Sequence, residues 1–89
     1  MITAVVLIRA EKGALPKLGE ELAAIPGVSE VYSVTGDVDF VAMIRAKEHE
    51  DLAEIVTRRI AQVPGVARTQ THVAFKAYSK HDLETLFGP

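Results

Sequence analysis

Val34-Thr35-Gly36-Asp37-Val38-Asp39-Phe40 is the densest cluster of small polar groups in this chain. Val31 leads into it, and Val41, Met43 and Ile44 lead out. Apolar strand formers on both sides of a Gly-Asp corner predict a β-hairpin, with strands over 28–34 and 38–46. The corner carries the Thr35 hydroxyl, the carboxylates of Asp37 and Asp39, and a glycine that leaves its backbone open.

Outward from the hairpin, the two halves of the chain repeat one another. Ile8-Arg9-Ala10 returns as Ile44-Arg45-Ala46, and Ile25-Pro26-Gly27-Val28 returns as Val63-Pro64-Gly65-Val66, at offsets of 36 and 38 residues. Each half reads as strand, helix, Pro-Gly-Val corner, strand. The first strand, over 3–10, is a nearly continuous β-branched and aliphatic run ending on Arg9. Leu15, Leu18, Leu22 and Ile25 recur at helical spacing, with Pro16 in the first turn and Gly19 mid-helix. Leu52, Ile55, Val56, Ile60 and Val63 trace a second helix, whose N-terminal end carries Glu48, Glu50 and Asp51, where the helix dipole favours anions. Pro26-Gly27 and Pro64-Gly65 stop the two helices. Over 68–78, Thr69, Thr71 and Val73 alternate with Gln70, His72 and Ala74, giving a fourth strand.

The order β-α-β-β-α-β, built from two split βαβ halves, predicts an α+β ferredoxin-like sandwich of the dimeric α+β barrel type. It is a four-stranded antiparallel sheet with two helices on one face. The domain is expected over 1–78. A short amphipathic tail follows over 79–89, carrying Leu83, Leu86 and Phe87 and capped by Ser79 or Asp82. The other sheet face is left uncovered, and sheet-to-sheet homodimerisation is the simplest way to cover it.

With 89 residues the chain is one domain. It has no cysteine, so neither a disulfide nor a thiolate metal site staples it. His49, His72 and His81 are too dispersed for a zinc site. The net charge of −2, with no basic block, argues against a long grip on nucleic-acid phosphates. No apolar run approaches a membrane span and no charged leader precedes the first strand, so a cytoplasmic protein without a membrane partner is expected. There is no Gly-x-Ser-x-Gly elbow, no P-loop and no cofactor motif, so neither an enzyme nor a cofactor is expected.

The pattern Val34-Thr35-Gly36-Asp37-x-Asp39-Phe40, followed by Pro64-Gly65-Val66-x-Arg68-Thr69-x-Thr71, resembles the effector-binding domain of the Lrp/AsnC transcription regulators. That domain is also called RAM, for regulation of amino-acid metabolism. The likeness runs from the first strand to Tyr78. Family regulators carry an N-terminal helix-turn-helix, whereas Met1 here falls at the first strand, so the resemblance implies a stand-alone effector domain. It further implies dimers that assemble into rings, with amino acids bound between dimers at the Gly-Asp corner.

An α-amino acid needs an anionic acceptor for its ammonium and N–H donors or a guanidinium for its carboxylate. Gly36 offers open backbone N–H groups, Asp37 or Asp39 a carboxylate, Arg68 a guanidinium, and Thr35, Thr69 and Thr71 hydroxyls. The same residues have ordinary roles: Asp beside Gly commonly bonds its own turn, and Thr is a good strand former. Three readings follow: an amino-acid-binding effector module, an assembly partner of full-length Lrp/AsnC regulators, and a small ferredoxin-like dimeric enzyme that only the fold suggests.

Overall fold

The computed structural model describes residues 1–80; the tail residues Asp82, Leu83, Leu86 and Phe87, with His81, lie outside the described residues. The elements are β1 (Ile2–Ala10), α1 (Leu15–Ala23), β2 (Val28–Ser33), β3 (Phe40–Ala46), α2 (His49–Glu54) and β4 (Val66–Ala74). The strands form one antiparallel sheet in the order β2-β3-β1-β4, with the two halves of the repeat interleaved at its centre. This is the ferredoxin-like α+β sandwich.

Period-two alternation divides each central strand between two faces. Ala4, Val6 and Ile8 of β1 and Phe40, Ala42, Ile44 and Ala46 of β3 are buried beneath the helices. They pack with Leu18 and Leu22 of α1 and with Leu52, Ile55 and Ile60 of the second helical segment. The intervening Val5, Leu7, Val41 and Met43 lie on the open face, half-buried, with no helix over them among the described residues. Gly19 sits where α1 crosses the sheet: a Cβ there would stand 3.1 Å from Phe40 Cε1.

The repeated Pro-Gly-Val corners have matching jobs. The Gly27 carbonyl accepts from the Arg45 N–H at 3.0 Å, and the Gly65 carbonyl accepts from the Glu11 N–H at 2.7 Å. Each corner thus joins the strand it opens to the neighbouring strand. Both glycines are left-handed, at φ +96° and +101°. A Cβ on Gly27 would overlap Ile55 Cδ1, and one on Gly65 would lie 2.9 Å from Ala14 Cβ.

Several boundaries differ from the sequence reading. β4 ends at Ala74 rather than at 78 because its one neighbour, β1, ends there: Thr3 pairs with Ala74. Phe75 and Tyr78 beyond it are 98% and 78% exposed. β2 stops at Ser33 and β3 starts at Phe40, so the expected β-hairpin forms with a longer connection, over 34–39. The second helix is not one continuous α-helix. After α2 it widens into a π turn (Ile55–Arg59) and tightens into a 3-10 turn (Ile60–Gln62). In a straight α-helix Ile60 would point about 140° away from Ile55. The wider turn lets both face the core, at 0% and 8% exposure.

Candidate functional site

The connection over 34–39 closes the β2–β3 hairpin and is also tied to the end of β1. The Val34 N–H donates to the Asp39 carbonyl at 3.1 Å, and the Asp39 N–H donates to the Ile8 carbonyl at 2.9 Å. Asp39 Oδ2 accepts from the Ala10 N–H at 2.7 Å. Arg9 Nε and Nη2 both donate to the Asp37 carbonyl, at 3.1 and 2.6 Å. Gly36, at φ +107°, gives the chain its left-handed step and faces open space.

Beside this tethered loop lies an open cleft of about 430 Å³. Asp37 and Val38 form one wall, Leu7 and Arg9 the floor, and Arg68, Thr69 and Gln70 the far wall. Arg9 and Arg68 are register partners in the β1–β4 ladder, where a bulge follows at Arg9/Ala10. They share the open face with Leu7 and its partner Gln70.

The structure brings together three of the residues singled out from sequence: Asp37, Arg68 and Thr69. Thr35 and Gly36 stay on the exposed outer part of the loop, away from the cleft lining. The Asp39 carboxylate is turned to Ala10, so its observed partner is the fold. Thr71 pairs with Val6 on the helix side of the sheet, opposite the open face. Sequence reasoning missed Leu7, Arg9, Val38 and Gln70. Arg9 did leave a signal, since it terminates an apolar run and recurs as Arg45. Nothing local announces that it stands opposite Arg68.

Chemically, the cleft offers one carboxylate and two guanidinium groups on a part-apolar floor. Only the backbone carbonyl of Asp37 is engaged by Arg9. Among the described residues, the Asp37 carboxylate and the Arg68 guanidinium have neither an ion pair nor a hydrogen bond; the ion pair found is Lys17–Glu21 on α1, at 3.7 Å. An acceptor and a donor fork are thus both unused in one cleft, which is the arrangement a zwitterion requires.

A ferredoxin-like α+β module with an open, charged cleft at one end of its sheet is the class this geometry defines. The family model described as the Lrp/AsnC ligand binding domain matches residues 3–83, and the chain belongs to that family. An uncharacterized HTH-type transcriptional regulator of Pyrococcus furiosus is 40% identical over 76 residues, covering 82% of this chain and 51% of the relative. The chain spans about half the length of the curated relatives it matches. The crystal structure of TTHA0845 from Thermus thermophilus is similar at TM-score 0.84 and 50% identity, covering 90% of this chain and all of that one. A feast or famine regulatory protein of M. tuberculosis, solved in complex with L-methionine, is similar at TM-score 0.74 and 26% identity, covering 90% of this chain and 54% of that one. No described helix is long and apolar enough to cross a membrane.

Proposed function

We propose that the chain is an amino-acid-binding effector module acting in the regulation of amino-acid metabolism, not an enzyme. The observation that carries this reading is the pair of unused groups lining one cleft: the Asp37 carboxylate for a ligand's ammonium and the Arg68 guanidinium for its carboxylate. The methionine complex of the mycobacterial relative supports an amino acid as the ligand class. Gln70 offers a polar side chain on the same wall, and Thr69, whose partner Ile8 lies on the helix side, lines it from the strand between Arg68 and Gln70. Asp39 serves the site by holding the loop, and the acceptor is Asp37.

The open face, with Val5, Leu7, Val41 and Met43 at its centre, supports a homodimer formed sheet against sheet. In that arrangement the cleft lies at the dimer's rim, where a neighbouring dimer in a ring can close it. Mixed assembly with a full-length regulator of the family is the second reading. It is favoured by the 40% identity of such a regulator over 76 residues, a span too long to miss the open face. A pull-down with such a regulator that recovers none of this chain counts against it.

The test is a thermal-shift screen of the chain against the twenty protein amino acids. A ligand that binds only the folded form adds about 2.7 kcal/mol at a hundredfold excess over Kd, which raises the midpoint measurably. A raised midpoint that disappears in both Asp37→Ala and Arg68→Ala is the expected result. No shift with any amino acid would refute the reading.

A further inference from the structure

We propose that the cleft selects an acidic amino acid, of the glutamate or aspartate class, and that Arg9 pairs with the ligand's side-chain carboxylate. This rests on the reading of the cleft as an amino-acid site. Arg9 and Arg68 stand directly opposite one another on adjacent antiparallel strands and on the same face. Like charges in that relation destabilise a sheet pair. Neither has an ion pair among the described residues to relieve it.

Arg9 directs Nε and Nη2 at the Asp37 carbonyl, at 3.1 and 2.6 Å. A guanidinium carries five N–H donors, so most of the fork remains for an anion. A carbonyl has no formal charge, so the positive charge of Arg9 stays unmatched. Among the described residues lining the cleft, Asp37 supplies the only anion against two cations.

An amino acid with a neutral side chain contributes one charge of each sign. Its ammonium meets Asp37 and its α-carboxylate meets Arg68, and Arg9 is left over. A second carboxylate on a short methylene stem completes the pairing, with Leu7 and Val38 as apolar walls for the stem. The opposed arginines then become a two-carboxylate receptor rather than a repulsive pair.

The experiment is calorimetric titration of the intact chain with L-glutamate, L-aspartate, L-glutamine, L-asparagine and L-leucine. The acids and their amides are near-isosteric, so their affinity ratio isolates the charge. Each acid is expected to bind at least about tenfold tighter than its amide, the size of one charge-assisted hydrogen bond. Arg9→Gln should bring that ratio close to one, and Arg9→Lys should retain most of it. The ratio is the readout because loss of the Arg9 hold on Asp37 weakens acid and amide alike. Amides or leucine binding as tightly as the acids would overturn this inference and leave the amino-acid reading standing. No binding by any of the five, together with a flat thermal-shift screen, overturns both. An acid preference unchanged in Arg9→Gln overturns the assignment to Arg9.

Discussion

Asp39→Ala separates a structural aspartate from a ligand-binding one. β3 begins at Phe40, whose register partner on β1 is Ile8, and the Asp39 N–H reaches the Ile8 carbonyl. Ala10, two residues further along β1, points its N–H to the same side but past the end of β3. The Asp39 carboxylate stands there and accepts that N–H at 2.7 Å, lengthening the ladder by one side-chain bond. A hydrogen bond to a charged group is worth about 1.5–3 kcal/mol. Asp39 is only half-buried and water can partly replace it, so a loss of about 1.5–2 kcal/mol is expected on removal of the carboxylate. For a domain of this size that lowers the thermal midpoint by on the order of 10 °C. Asp39→Asn keeps an oxygen in place without the charge and should lose about half as much. The assay is urea unfolding at fixed protein concentration, because self-association shifts apparent stability. Amide exchange at Ala10 should quicken in the same variants. Stability within about 0.5 kcal/mol of the parent, with Ala10 protection unchanged, would refute the reasoning and return the carboxylate to the ligand.

Gly27→Ala and Gly36→Ala both force an alanine into a left-handed backbone, at φ +96° and +107°. Only the former also drives a Cβ into Ile55, while the latter meets nothing within 4 Å. By chemical denaturation Gly36→Ala should lose about 1–2 kcal/mol and Gly27→Ala a further 1–3 or so; equal losses would show that the Ile55 contact carries no weight. The Tyr32 phenol donates to the Glu30 carboxylate, and this bond, followed by repulsion from the Glu30 charge, raises its pKa above the ordinary 10.0. The neutral phenol is therefore the form the fold favours, so any contribution is present below pH 10.0 and lost as pH climbs through the raised value. An alkaline absorbance titration should show the Tyr32 midpoint falling in Glu30→Gln, and an unmoved midpoint sinks the pairing. Met43→Lys puts a charge at the centre of the open sheet face. For the proposed sheet-to-sheet dimer, sedimentation velocity should then show dissociation strengthened at least about tenfold, and self-association unchanged by the substitution would refute that interface.

What was legible in the sequence was whatever depends on neighbours along the chain. The repeated Pro-Gly-Val corner is one case, because a left-handed glycine after proline ends a helix by local geometry, and both copies do so at Gly27 and Gly65. The Leu18 and Leu22 stripe is another, since helical period alone points it at the sheet. Asp37, Arg68 and Thr69 could be singled out as candidates because their residue types carry polar chemistry wherever the chain puts them, and all three line one cleft. The remainder depends on register. β4 stops at Ala74 because β1 has no more backbone to offer, a limit set some seventy residues away. The Ile55–Ile60 spacing looks out of phase until a π turn restores it, and only the sheet beneath makes that widening favourable. Arg9 shows the point most sharply. Read alone, it is a polar full stop to an apolar strand, and its pairing with Arg68 exists only once β1 and β4 are aligned across the bulge. The same alignment turns the Asp39 carboxylate to Ala10, while Asp37 lines the cleft. Two aspartates that are equivalent by composition and two residues apart therefore differ in what they touch: the Asp39 carboxylate extends a β-ladder, and the Asp37 carboxylate makes no hydrogen bond or ion pair among the described residues.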